Sequence, residues 1–91
     1  METVIDPHTL LRAEERGTNE AEIRDVLTTG FPIPAKHGKL GKAKVYNFNR
    51  LRHGKCYEQK RVEVIYLVEH NESITVTVYV FFGIWEHSYA N

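Results

Sequence analysis

The chain has 91 residues, a formal net charge of zero and one cysteine, Cys56. That length suffices for one modest core, read as one domain over residues 1–91. A lone cysteine excludes an internal disulfide, and no run of about twenty apolar residues offers a membrane span. Residues 1–6 lack the basic and apolar regions of a signal peptide, so the expected setting is cytoplasmic, with no membrane partner.

Neutrality hides a segregated charge distribution. Residues 1–30 carry three basic residues and seven acids, a net −4. Residues 36–61 carry nine basic residues and one acid, Glu58, a net +8. Residues 62–91 carry four acids and no Lys or Arg, a net −4. A basic middle is an electrostatic footprint for a polyanion if folding gathers it on one face. The competing explanation is solvated lysines that keep sheet edges from pairing.

Ile5-Asp6-Pro7 starts a helix: Asp6 caps it, Pro7 fits the first helical position and Ile5 staples onto Leu10. The helix is expected to run to Arg16 and end at Gly17. Leu10, Leu11 and Ala13 form its apolar side. His8, Arg12 and Arg16 stand at i, i+4 and i+8, in one polar stripe. Asn19 caps a second helix with Glu22 as capping-box partner. Ile23, Val26 and Leu27 face its core side, and Gly30 closes it.

Pro32 and Pro34 make residues 31–36 an edge strand or extended loop. Two glycines make residues 37–42 a turn, residues 43–48 read as a strand, and residues 49–55 as a basic loop. Residues 57–68 and 73–82 form the central hairpin. Val62, Val64, Tyr66 and Val68 alternate on one face of its first strand; Ile74, Val76, Val78, Val80 and Phe82 do so on the second. His70, Asn71 and Glu72 make the turn, where Asn tolerates a left-handed backbone. Matching apolar faces predicts Val68 opposite Ile74, Tyr66 opposite Val76, Val64 opposite Val78 and Val62 opposite Val80. Residues 83–86 continue as a bent strand end or hook, and residues 87–91 are loose.

The fold class that follows is α+β, with two N-terminal helices packed on one face of a curved antiparallel sheet of three to four strands. The other face is expected to be open, showing Tyr57, Gln59, Arg61 and Glu63 beside Thr75, Thr77, Tyr79 and Phe81. Mixed cationic, polar and aromatic groups on an open sheet suit nucleic acid. They also suit an ordinary solvated face.

His53-x-x-Cys56 is an isolated pair with no second pair at ligand spacing, so no metal is expected. No glycine-rich phosphate loop follows a strand, so no cofactor is expected either. The remaining chemistry is metal-independent phosphodiester cleavage, in which RNA supplies its own nucleophile, the 2′-OH. It needs a base, an acid and cations around the phosphate. His8, Tyr57 and Glu63 are candidates for proton transfer. Arg12, Arg16, Lys60 and Arg61 are candidates for holding the phosphate, with Tyr79 beside them. Lys36, Lys39, Lys42, Lys44, Arg50, Arg52, Lys55 and Lys60 are candidate nucleic-acid contacts. The plainer alternative for each is a surface position or a local ion pair, such as Arg12 and Arg16 with Glu15 and Glu20.

His8-x-x-x-Arg12-x-x-x-Arg16-Gly17, then Glu22-Ile23, the Leu27-x-x-Gly30 end and Val76-Thr77-Val78-Tyr79, resemble the bacterial domain-of-unknown-function family 4258. That family is grouped with RelE- and BrnT-like toxins in the barnase–EndoU–colicin–RelE superfamily. The resemblance covers residues 8–82, and His8, Arg12, Arg16 and Gly17 match position by position. It implies helices on a curved antiparallel sheet, metal-independent RNA cleavage at the open face and an antitoxin-like protein partner. The leading expectation is therefore a toxin-like RNA-binding protein acting as a metal-independent endoribonuclease. The alternative is a non-catalytic module of the same fold that binds a protein or nucleic acid. A third is a small regulatory subunit whose open face is a dimer interface.

Overall fold

A computed structural model describes residues 2–85. The expectations for residues 86–91 lie outside the described residues. The elements are β1 (Glu2–Val4), α1 (Pro7–Arg16), α2 (Glu20–Thr29), β2 (Phe31–Ile33), β3 (Leu40–Arg52), β4 (Lys55–Glu69) and β5 (Glu72–Gly83). They form an α+β fold with a five-stranded sheet in the order β1-β5-β4-β3-β2. The expectation of three to four antiparallel strands is corrected. β1 adds a parallel edge against residues 72–74 of β5, so the sheet is mixed.

Both helices start as their caps dictate. Asp6 Oδ1 accepts from His8 N at 2.8 Å, and Gly17 ends α1 in the left-handed region at φ 95°. Asn19 Oδ1 accepts from Glu22 N at 2.9 Å. The Glu22 carboxylate does not close a capping box. It accepts from Thr18 Oγ1 at 2.7 Å and Lys60 Nζ at 2.6 Å. Ala13, Ile23 and Val26 from the helices meet Val62, Val64 and Val78 of the central hairpin in the buried core. On α1 the inward position next to Ala13 belongs to Thr9, fully buried, while Leu11 faces solvent.

The central hairpin turns through His70 and Asn71 alone, both at positive φ. Glu72 already belongs to β5. A two-residue turn of this hand matches strand twist. Val62 pairs with Val80 and Val64 with Val78, as expected. The register then shifts between Ile65 and Tyr66, so Tyr66 faces Thr75, Leu67 faces Ile74 and Val68 faces Ser73. The expected Tyr66–Val76 and Val68–Ile74 pairs are corrected. Val76 is a bulge residue, and one extra residue exchanges the two faces of everything beyond it. Ser73 and Thr75 are consequently buried where Ile74 and Val76 were expected.

The basic segment over 49–55 is a hairpin, not a loop. β3 runs to Arg52, His53 and Gly54 turn at positive φ, and β4 begins at Lys55. Leu40 likewise opens β3 inside the stretch expected to be a turn. No helix among the described residues is long and apolar enough to cross a membrane.

Candidate nucleic-acid interface

Strand alternation decides which cations of the basic segment can meet a ligand. Lys42, Lys44 and Tyr46 pair with Val64, Val62 and Lys60, so all three point toward the helices. Lys42 Nζ donates to the Leu27 carbonyl at 2.8 Å. Lys44 Nζ donates to Asp25 Oδ2 at 2.7 Å, and Tyr46 Oη donates to the same oxygen at 2.6 Å. These bonds, led by Lys44, hold the Asp25 carboxyl below the ordinary carboxylate value. Burial, reinforced by the Asp25 bond, pushes the Tyr46 phenol up. Lys60, 8% exposed, donates to the Gly17 carbonyl at 2.9 Å and to Glu22. Arg52 Nη2 donates to the Glu15 carbonyl at 2.9 Å. Lys42, Arg52 and Lys60 thus meet carbonyls at helix C-terminal ends, where the helix dipole favours cations. Lys42, Lys44, Arg52 and Lys60 fasten the helix layer to the sheet.

Arg50 and Lys55, near the tip of the β3–β4 hairpin, lie over the rings of Phe48 and Tyr57. Tyr57 in turn packs on Phe82, with ring centroids 5.6 Å apart. This places Tyr57 at the hairpin end of the sheet, away from His8.

The cations left without an ion pair to a described residue include Arg12, Lys36 and Lys39. They converge on the bulge of β5. One groove, of about 490 Å³, is lined by Asp6, His8, Arg12 and residues 74–77 of β5 with Leu67. A second, of about 230 Å³, is lined by Ala35, Lys36, His37, Lys39, Ile65, Val76, Thr77 and Tyr79. Both have Val76 and Thr77 in their walls. The bulge residue is thus the ridge where the α1 groove meets the β2–β3 loop groove. Two histidines and three cations surround it, with Asp6 as the acid of the two linings.

The α1 wall is fixed by a buried polar clasp. Asp6 N donates to Thr75 Oγ1 at 2.9 Å, and Thr75 Oγ1 donates to Thr9 Oγ1 at 3.1 Å. Arg16, the third member of the stripe, bends over the β5 edge. Its Nη1 donates to the Val78 carbonyl at 2.6 Å, and its guanidinium lies 5.2 Å from the Tyr79 ring centroid. It covers a strand edge and anchors Tyr79, which stays 42% exposed.

Arg61 and Glu63 lie on the sheet face away from the helices. Arg61 Nε donates to Glu63 Oε2 at 2.8 Å, and the guanidinium lies 5.3 Å from the Phe31 centroid. Arg61 on β4 and Phe31 on β2 are separated by β3, so their contact arches over Ala43 and Val45, which are buried. The far face is therefore covered near β2 and open toward β5.

The structure brings His8, Arg12, Arg16 and Tyr79 together along β5, joins Lys36 and Lys39 to them, and leaves Tyr57 and the helix-bound lysines elsewhere. The sequence reading missed His37. The Lys36-His37-Gly38-Lys39 turn carries the signal, a histidine between two lysines in a loop with both His37 and Gly38 at positive φ. No group of three or more His, Cys, Asp or Glu among the described residues is placed to hold a metal ion.

No curated protein and no solved structure matches the chain. The family model described as Domain of unknown function (DUF4258) matches residues 5–80, a span that begins just before α1 and ends within β5. The chain, from its first helix to the strand that floors both grooves, belongs to the DUF4258 family.

Proposed function

We propose that this protein binds single-stranded RNA along the β5 bulge and cleaves it through the 2′-OH, as a toxin-like, RelE/BrnT-like endoribonuclease. The observation that carries this is the meeting of two cation-lined grooves at Val76 and Thr77, with His8 on one side and His37 on the other. A phosphate on that ridge lies among Arg12, Lys36 and Lys39. The two imidazoles flank it as proton acceptor from the 2′-OH and donor to the leaving 5′-oxygen. An imidazole nitrogen can accept a proton or, once it carries one, donate it, so one residue type serves both roles.

One observation favours the non-catalytic alternative: neither imidazole has a hydrogen-bond partner among the described residues to orient it. In that reading the same groove binds RNA and leaves it intact.

Labelled single-stranded RNA, incubated with the purified protein in EDTA, separates the two. Cleavage is expected, with the all-DNA strand left whole. His8→Ala and His37→Ala should each lower turnover by about 10²- to 10⁴-fold. Intact RNA, with no inhibitory partner copurifying, contradicts catalysis; RNA affinity that does not fall with salt contradicts the binding site as well.

A further inference from the structure

We infer that the β5 side of the far face holds a guanine base, read by Glu63 and stacked on Phe81 and Tyr79; this rests on the RNA reading of the adjoining groove. The register sets Tyr79 directly opposite Glu63 and Phe81 directly opposite Arg61, so all four share one face. Phe81 is 48% exposed and has no ring or cation partner among the described residues. Tyr79 is already steadied by Arg16 from the strand edge. Exposed aromatic rings on a sheet are stacking platforms for unpaired bases. Tyr79 also lines the groove of Lys36, His37 and Lys39. A base on these rings therefore leaves its phosphate at the bulge.

The reading group is the Glu63 carboxylate. Its Oε2 accepts from Arg61 Nε, and Arg61 is itself pinned over Phe31, so the carboxylate is held in one orientation. Among the described residues that is the only bond it makes, which leaves Oε1 and the second lone pair of Oε2 for a ligand. A carboxylate presents two acceptors and, when ionised, no donor. Guanine alone among the four RNA bases offers two adjacent donors, N1–H and the N2 amino group, on its pairing edge. Adenine, cytosine and uracil each set an acceptor beside their donor there, which a carboxylate repels. With both side chains about one-fifth exposed, water competes weakly for these bonds. Arg61 is a positioning residue in this arrangement and Glu63 the reader.

The test is fluorescence anisotropy with uridine decamers carrying one central G, inosine, A, C or U. Every 2′-OH is methylated to block cleavage. The G decamer should bind about tenfold or more tighter than A, C or U, in the range of one bidentate base contact. Inosine, which lacks the N2 amino group, should fall between. Glu63→Gln should abolish the preference for G, bringing the ratio of G to U affinity measured in the same folded variant to about one. Phe81→Leu should weaken all decamers together. Equal affinity for the five wild-type complexes, still salt-sensitive, overturns the guanine site and leaves the RNA reading standing. No binding of any decamer overturns both. Guanosine monophosphate that binds more tightly than the G decamer overturns RNA as the source of the base.

Discussion

Replacing Lys60 with Met keeps the aliphatic stem and removes the ammonium. In the folded chain that ammonium joins Gly17 at the end of α1 to Glu22 at the start of α2. Its side chain is 10% exposed and that of Glu22 21%. Removing one member of a buried pair costs about 3–5 kcal/mol, because the other charge is left unpaired. Glu22 keeps its Thr18 hydroxyl bond and some access to water. That residual solvation lowers the expected cost to about 2–4 kcal/mol. For a chain of this length the loss corresponds to a fall in melting temperature of about 10–25 °C. Urea unfolding followed by circular dichroism measures it as a midpoint shift at constant m. Glu22→Gln in the Lys60→Met background should return part of the loss, since the stranded charge is gone. Below its transition the variant should bind RNA as the wild type does, because Lys60 faces the helices. A cost under about 1 kcal/mol, or a specific loss of RNA affinity in the folded variant, would refute the assignment of Lys60 to the helix–sheet joint.

Lys36→Glu with Lys39→Glu should weaken RNA binding and flatten its log–log salt dependence by about 0.7 for each phosphate no longer neutralised, with the melting curve unmoved. Gly30→Ala should destabilise the chain by about 1–3 kcal/mol in the same urea assay. A Cβ there would sit 2.5 Å from the Val26 carbonyl oxygen and 2.7 Å from that of Ala43, and neither backbone can yield. Asp25 has a folded pKa below its ordinary 3.8, so its contribution is present above that value and fades as pH falls through the lower one. Acid unfolding should lose part of its pH dependence in Asp25→Asn. Tyr46 has the opposite sign: its folded pKa lies above 10.0, so its contribution is present below that pH and fades above it, and Tyr46→Phe should flatten the alkaline limb.

The helices and the middle of the central hairpin were legible in the sequence because each rests on a local rule. Asp6-Pro7, Gly17 and Asn19 are cap chemistry, and Val62 with Val80 or Val64 with Val78 is simple alternation. The bulge at Val76 was not legible. Residues 74–82 are all β-branched or aromatic, so the extra residue leaves no mark in the sequence, and the register on β4 with the burial of Ser73 and Thr75 reveals it. β1 was missed because three residues carry no period, and its pairing depends on a strand seventy residues away. The basic segment misled in another way. Lysine composition reports charge, whereas the register of β3 on β4 decides that Lys42 and Lys44 serve the helices. Lys36 and Lys39 lie outside that ladder and form no ion pair with a described residue. His37 escaped notice because nothing in the linear order places it near His8. The bulge relates the two, by giving their separate grooves a common ridge at Val76 and Thr77.

The central claim, that the β5 bulge cleaves RNA through its own 2′-OH, is tested most directly by mass spectrometry of the products. A defined single-stranded RNA is incubated with the full chain in EDTA. The account expects fragments ending in a 2′,3′-cyclic phosphate or its 3′-phosphate hydrolysis product, paired with fragments bearing a free 5′-OH, and none from His8→Ala at the same time point. Fragments ending in 5′-phosphate and 3′-OH, or uncut RNA bound in the groove, would contradict it.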